Sequence, residues 1–213
     1  MKLAAIILSY KRPTNIPLVI SSLLEDGMKP RDIYVFNNNP DISLEIKEAN
    51  VINSEKNLGC RVRHALALAL DYTHFLFIDD DLAIKPGTID GFKKYSEIFP
   101  EAVLGYFGSI LGKGEKPYTN RKKYDYWRDI QAEVDVVIGR LHFCSRETIA
   151  NSFLKSYRTG EDDIILSLSN KPYSNYVIPG EEVIDLPERG VGQYHRKDHW
   201  ERRDRACLEV MGK

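Results

Sequence analysis

The chain has 213 residues, of which 43% are hydrophobic and 29% charged, and its formal net charge at pH 7 is -1. This size suffices for one large domain with a buried core, and the balanced charge argues against a nucleic-acid partner, which normally needs a basic surface. Three cysteines without paired spacing favour a reducing compartment, and no apolar run is long enough for a membrane span. We therefore expect a cytoplasmic protein.

The first third of the chain alternates apolar runs with an amphipathic segment. Residues 3–8 form a continuous apolar run that predicts a buried strand. Residues 15–26 place apolar side chains at helical spacing before Gly27. Two further strands are predicted at residues 33–36 and 51–53. Strand, helix and strand in this order open a doubly wound nucleotide-binding fold.

A second helix is expected after residues 57–59. Its predicted apolar stripe consists of Val62, Ala65, Leu66, Ala69 and Leu70. Arg61, Arg63 and His64 would project off this stripe near the helix N-terminus, where free backbone amides attract anions. Two arginines there would strengthen a diphosphate site. The alternative is a solvated basic face.

Three consecutive aspartates follow the most apolar predicted strand. Residues 75–78 suit a strand buried on both faces, and Asp79, Asp80 and Asp81 come directly after it. Ligands of open α/β sheets collect at the carboxyl ends of the strands. Adjacent acids repel one another unless a cation such as Mg²⁺ or Mn²⁺ offsets their charge, usually together with a substrate phosphate. The alternative is a solvated acidic turn.

The remaining elements are less regular. A helix is predicted from Thr88 and a strand at residues 102–110. Residues 111–129 predict a long loop or irregular hairpin, the expected acceptor-binding surface, in which Trp127 either stacks on a sugar or packs in the core. The later predictions are strands at residues 134–138, 141–144, 173–178 and 183–186, helices at residues 146–153 and after Glu161, Asp162 and Asp163, and a charged helical tail from Gln193.

Taken in order, these motifs resemble the glycosyltransferase A (GT-A) fold and, within it, the exostosin-like family of retaining transferases. The motifs span residues 9–208 and comprise Asn37-Asn38-Asn39, Arg61-Val62-Arg63, Phe77-Ile78-Asp79-Asp80-Asp81, Phe99-Pro100, Val137-Ile138-Gly139, Asp162-Asp163-Ile164 and His195-Arg196. The resemblance implies an α/β fold with one Rossmann-like domain over residues 1–213 and a central, mostly parallel sheet flanked by helices. Residues 1–110 would be the nucleotide-binding half and residues 111–213 the acceptor-binding half.

The resemblance also implies roles for individual residues. The nucleotide-sugar would be bound by Ser9, Tyr10, Arg12, Asn37, Asn38, Arg61, Arg63, Asp79 and Asp80. Asp81 would bind the metal, with His195 as a further candidate ligand. Asp163 would be the catalytic-site aspartate and Arg196 its helper at the leaving diphosphate. Glu161 stands where the family often has cysteine, so Glu161 or Asp162 could do the chemistry instead, and Ala65 replaces a further arginine.

The implied function is metal-dependent transfer of a hexosyl or deoxyhexosyl group from a UDP-sugar to a glycan or glycoprotein hydroxyl, with Mn²⁺ or Mg²⁺ and with retention. The chain also resembles the broad inverting family of cellulose and hyaluronan synthases. It lacks their Gln-x-x-Arg-Trp signature because Lys197 follows Arg196. Glycosyltransferase domains of large algal viruses are similar in length, which would imply a location in the host-cell cytoplasm.

Two other classes of function remain open. A haloacid-dehalogenase-like phosphatase also uses Asp-x-Asp after an apolar strand, which Asp79 and Asp81 could mimic, with Asp162 and Asp163 as its later acidic pair. Ala83 stands where that family has Thr or Val. The third class is a non-catalytic sugar-nucleotide or glycan-binding module. A dehydrogenase is disfavoured, because no glycine-rich fingerprint follows the first strand.

Overall fold

The computed structural model describes residues 1–127 and 130–213. The helices in these residues are α1 (Ile16–Glu25), α2 (Val62–Ala69), α3 (Thr88–Ile98), α4 (Arg146–Asn151), α5 (Asp162–Ser169) and α6 (His199–Met211). The strands are β1 (Leu3–Ser9), β2 (Ile33–Asn37), β3 (Asn50–Asn53), β4 (His74–Asp79), β5 (Leu82–Ala83), β6 (Leu104–Gly105), β7 (Phe107–Ile110), β8 (Lys122–Asp125), β9 (Ala132–Val134), β10 (Val136–Val137), β11 (Leu141–Ser145), β12 (Asn175–Val177) and β13 (Ile184–Asp185).

Eight strands form the central sheet, in the order β3-β2-β1-β4-β11-β6-β12-β9. β1 pairs in parallel with both β2 and β4, and β2 in parallel with β3, whereas β11 is antiparallel to β4 and β6. The register sets Ser9 opposite Asn37 and Leu8 opposite Asp79. Because the carboxyl ends of these parallel strands share one edge of the sheet, the residues that follow them meet there. This confirms the predicted mixed α/β fold with a mostly parallel sheet.

The central strands are buried on both faces because helices cover each side. Along β1, Ala5 and Ile7 pack into a cluster with side chains of α1 and α3, whereas Ala4 and Ile6 face a second cluster with α2, α4 and α5. This explains why β1 and β4 are continuous apolar runs rather than alternating ones. A third cluster joins α5 to α6 and includes Ala206.

The predicted strand at residues 102–110 is divided between two sheets. β6 lies in the central sheet, whereas β7 joins β8 and β10 in a sheet of three strands. The buried Tyr106 is the residue between β6 and β7 in the chain. Glycines permit the close crossing: a Cβ on Gly105 would lie 2.2 Å from Val137 Cγ1, and one on Gly108 would lie 2.5 Å from Val177 Cγ2. The predicted strand at residues 134–138 is divided in the same way, into β9 and β10.

The predicted loop at residues 111–129 contains β8, which pairs antiparallel with β7 as a hairpin. Arg128 and Asp129, at the end of that stretch, lie outside the described residues. Within the described part of the chain, no helix combines the length and the apolar character needed to cross a membrane.

Helix α2 buries a different face from the predicted one. Ala65 and Ala69, assigned to the apolar stripe, are exposed, whereas Arg63 and His64 are buried with Ala67. Arg63, which was expected to project off the apolar stripe, is therefore an internal side chain. The physical reason lies in its partners, which are two carboxylates from elsewhere in the chain.

Candidate functional site

The aspartates at the tip of β4 have different surroundings. The Asp80 carboxylate is almost fully buried and accepts hydrogen bonds from the backbone N–H of Tyr10 at 2.7 Å and from Nη1 of Arg12 at 2.6 Å. Burial raises the pKa of Asp80 to about 7. The side-chain amide of Asn15 donates to the Asp80 carbonyl oxygen at 2.9 Å. The end of β4 is therefore tied to the segment that follows β1.

Asp81 keeps one carboxylate oxygen without a hydrogen bond. Its Oδ2 lies 2.6 Å from Nη1 of Arg12, which thus bridges Asp80 and Asp81. Its Oδ1 is buried, lies 3.6 Å from Nη2 of Arg140, and accepts no hydrogen bond from the residues that the structure describes. Buried polar atoms normally have a hydrogen-bond partner. This oxygen is therefore available to a cation or to a ligand at the strand tips.

A metal ion at the strand tips would take most of its ligands from a substrate. Over residues 1–127 and 130–213, no three His, Cys, Asp or Glu side chains are grouped so that they could hold a metal ion. His195, the second candidate ligand, is half-exposed, and its Nε2 lies 3.0 Å from Oε2 of Glu188. Mg²⁺ commonly binds through one or two carboxylates plus phosphate and water oxygens. The free oxygen of Asp81 fits that pattern.

Arg63 joins the strand tips to the start of α5. Its Nη1 donates to Oδ1 of Asp79 at 2.8 Å, and its Nε donates to Oδ2 of Asp162 at 2.7 Å. Burial raises the pKa of Asp79 to about 6. Burial acts in the same sense on Asp162, but the charge and hydrogen bond of Arg63, together with smaller contributions from His64 and His142, outweigh it, so the pKa of Asp162 is lowered. The two predicted acidic clusters, which lie far apart in the sequence, thus meet on the guanidinium group of Arg63.

A glycine makes room for this bridge. A Cβ on Gly139 would lie 2.5 Å from Nη2 of Arg63 and 3.5 Å from Cβ of Asp163. The backbone N–H of Gly139 also donates to Oδ2 of Asp163 at 3.2 Å. The predicted motif ending in Gly139 therefore lies against both the arginine and the acid.

The arginine beside Asp163 is Arg203, which was not among the predicted site residues. Nη2 of Arg203 donates to Oδ2 of Asp163 at 2.7 Å, and Nη1 donates to Glu161 at 2.9 Å. Burial raises the pKa of Glu161. The predicted helper, Arg196, instead has an exposed side chain 3.2 Å from Asp198. Within the C-terminal basic stretch, the residues that contact Glu161 and Asp163 therefore come from α6 and not from the segment before it.

A sequence signal for Arg203 does exist. Arg203 precedes the buried residues Ala206 and Cys207 by three and four positions, so it lies on the buried stripe of α6. An arginine on such a stripe needs a buried partner.

The predicted uridine contacts hold the neighbouring loops together. The Asn37 side chain donates to the Ile42 carbonyl at 2.8 Å, and the Asn38 side chain donates to Asn57 at 2.9 Å. The backbone N–H of Asn38 donates to the carbonyl of the buried Ser9 at 2.9 Å. These polar residues lie at the ends of β1 and β2, next to Tyr10 and Arg12.

Arg61 does not contact the strand-tip acids. Its Nη2 donates to the Ser152 carbonyl at 2.8 Å, and its guanidinium carbon lies 4.2 Å from the centre of the Phe153 ring. The side chain thus joins α2 to the end of α4. Of the two arginines predicted for the diphosphate, the structure brings only Arg63 to the acids.

Comparison with known proteins reveals similarity at the level of the fold. No protein-family model and no curated protein sequence matches the chain. Among solved structures, the crystal structure of S. aureus TarS, a glycosyltransferase, matches 88% of this chain with a TM-score of 0.60 at 14% sequence identity. The chain spans 37% of the length of that structure. The match agrees with a GT-A-like architecture.

Proposed function

We propose that the chain transfers a sugar from a nucleotide diphosphate donor, a UDP-sugar, to a hydroxyl group of a glycan or glycoprotein acceptor. The observation that carries the proposal is the meeting of the β4 acids and the α5 acids on Arg63. This meeting lies at the carboxyl edge of a parallel sheet, where ligands of such folds bind. The fold is one that a glycosyltransferase also has.

The donor diphosphate would lie at the tip of β4. Arg12 and Arg140 flank Asp81 there, and guanidinium groups bind phosphate oxygens well. Oδ1 of Asp81 would hold Mn²⁺ or Mg²⁺ together with the diphosphate, and His195 remains the second candidate ligand. When bound, the cation would neutralise the charge that develops on the leaving diphosphate.

The sugar would face the acids at the start of α5. Arg203 and the backbone of Gly139 fix the Asp163 carboxylate, so its position does not depend on the substrate. We propose retention, with Asp163 stabilising positive charge at the anomeric carbon as the bond to the diphosphate breaks. In an inverting reaction the same carboxylate would act as general base. The anomeric configuration of the product, read by NMR, distinguishes the two.

Turnover should depend on the carboxylates of the proposed site. Purified protein with Mn²⁺ and a panel of UDP-sugars should release UDP and glycosylate an acceptor. Asp81→Asn and Asp163→Asn should each lower turnover by about 100-fold or more, because charge stabilisation in the transition state is lost. Asp90→Asn is the matched control, since this exposed acid on α3 pairs only with Lys93 among the residues described. Wild-type turnover in Asp81→Asn and Asp163→Asn would contradict the site assignment.

Donor binding supplies an independent readout. A UDP-sugar at a hundredfold excess over its dissociation constant should stabilise the fold by about 2.7 kcal/mol, which thermal unfolding detects. Stabilisation without transfer or hydrolysis would instead indicate a binding module. Phosphate release from a simple ester with Mg²⁺ would indicate a phosphatase.

A further inference from the structure

An aromatic cluster lies beside the α5 acids and is not used by the proposed donor site. The guanidinium carbon of Arg203 lies 4.1 Å from the centre of the Tyr118 ring. The Tyr118 and Trp200 rings are stacked with centroids 6.2 Å apart. Tyr118 is buried, whereas Trp200 is 45% exposed. The cluster therefore leads from the Asp163 partner, Arg203, outward to an accessible indole.

The position of the indole is fixed by the surrounding backbone. Asp204 on α6 accepts hydrogen bonds from the backbone N–H groups of Tyr118 at 2.7 Å and Thr119 at 2.9 Å. The His199 ring packs edge-on against Trp200 with centroids 4.7 Å apart. A rigid, half-exposed aromatic face gains free energy when an apolar ligand face covers it, which is why aromatic side chains line many ligand sites.

Arg121 adds a positive charge to this surface. Its guanidinium carbon lies 4.1 Å from the Tyr118 ring centre and 4.8 Å from that of Trp200. Its Nη1 donates to the Tyr118 carbonyl at 2.8 Å, while its buried Nε has no hydrogen-bond partner among the described residues. Arg202 and Arg203 both contact Glu161, but no described acid lies within ion-pair distance of Arg121. Its charge is available to an anionic ligand.

We propose that Trp200 and Arg121 form the acceptor subsite, and that the sugar unit bound there carries a carboxylate or phosphate. A sugar would stack on the exposed indole while Arg121 binds its anionic group, and the chain of contacts through Arg203 directs the acceptor toward Asp163. This inference rests on the proposed function, because it is the neighbouring acid that makes the surface an acceptor site.

The two tryptophans of the chain, Trp127 and Trp200, allow a direct test. Trp127→Phe leaves Trp200 as the reporter, and Trp200→Phe leaves Trp127. Both variants are titrated without nucleotide, using trigalacturonate, glucose 6-phosphate, neutral maltotriose and inorganic phosphate, while indole fluorescence is recorded. We expect fluorescence quenching in Trp127→Phe only, with a charged sugar binding about tenfold more tightly than maltotriose. The trigalacturonate and glucose 6-phosphate arms distinguish carboxylate from phosphate.

The inference would be overturned by quenching that persists in Trp200→Phe, by equal affinity for maltotriose and the charged sugars, or by no quenching at all at about 1 mM ligand. Inorganic phosphate that binds as tightly as glucose 6-phosphate would also overturn it, because that identifies a bare anion site.

A charge variant and a donor readout complete the design. Arg121→Gln should weaken charged-sugar binding about tenfold and leave maltotriose binding unchanged. Arg31→Gln is the matched control, because Arg31 is an exposed arginine beside Asp32 at the start of β2. Melting temperatures of both variants check the fold. The rise in the melting temperature of Trp200→Phe on addition of UDP and Mn²⁺ reports the donor site alone. A missing rise would count against the proposed function, whereas the sugar titrations test only the acceptor subsite.

Discussion

Arg63 is the residue on which the candidate site depends most. It is 2% exposed and is bonded to Asp79 and Asp162, so its burial is tolerated only because both carboxylates accompany it. The charges of these acids raise the pKa of Arg63 against the effect of burial, which lowers it. Removing one member of such a group leaves buried charge without compensation.

Arg63→Leu should therefore lower the free energy of unfolding by about 3–5 kcal/mol. Urea denaturation of the purified variant measures this. Arg31→Leu, which removes an exposed arginine, should change stability by less than about 0.5 kcal/mol. Adding Asp162→Leu to Arg63→Leu should restore part of the loss. A loss below about 1 kcal/mol in Arg63→Leu would mean that water or another cation compensates the acids.

The role of Arg63 shows what a local pattern cannot reveal. Periodicity in α2 assigned the buried face to its apolar residues, yet the partners of Arg63 lie 16 and 99 positions away in the chain. Arg203 was missed for a related reason, because it stands in the same basic stretch as Arg196, the residue that the resemblance implied. In contrast, the positions of the acids at the end of β4 and at the start of α5 were predicted, because an apolar strand precedes the first group and an apolar helix follows the second.

At the scale of elements, a pair of buried histidines joins α2 to β11. Nε2 of His64 lies 3.2 Å from Nε2 of His142, and the His142 ring stacks on Phe77 at 4.7 Å. One imidazole must donate and the other accept, so the accepting imidazole is neutral in this contact. Burial lowers the pKa of His64 to about 3 and also lowers the pKa of His142, and the nearby charge of Arg63 acts in the same direction.

This pair predicts a loss of stability in mild acid. Unfolded histidines bind protons below pH 6.5, whereas the buried neutral pair does not, so stability is lost as the pH falls from about 6.5 toward 3. Each histidine should contribute about 2 kcal/mol to the loss between pH 7 and pH 5. Urea denaturation at both pH values should show a loss smaller by about that amount in His142→Phe, which keeps an aromatic ring on Phe77. An equal loss in wild type and variant would contradict the neutral pair.

Strands and helices were predicted correctly where the degree of burial is the same along the whole segment. β1 and β4 are buried on both faces throughout, so their apolar runs identify them. The prediction of a single strand at residues 102–110 was wrong, because the chain leaves one sheet and enters another at Tyr106. That change depends on β10, more than 20 positions later, against which Gly105 packs. Such a contact has no local signature.

At the scale of the whole molecule, the two functional halves expected from the sequence share one sheet. β11, from residues 111–213, lies between β4 and β6, which both belong to residues 1–110. Arg203 and Asp204 on α6 further bind the end of the chain to the start of α5 and to Tyr118. The donor-binding and acceptor-binding roles of the halves stay predictions, but neither half contains a complete sheet.

The interleaved sheet predicts one cooperative unfolding transition. Both tryptophans lie in residues 111–213, so fluorescence reports that half, whereas far-ultraviolet circular dichroism reports the helices and strands of both. The two urea curves should coincide, as expected for a two-state domain. A fragment of residues 1–110 should not fold, because without β11 it would expose the edge of β4 together with the apolar side chains of Phe75 and Phe77. Separate midpoints for the two probes, or a folded fragment, would show instead that the halves fold independently. The shared sheet argues against this, because neither half can unfold alone when the central strands of the sheet come from both halves.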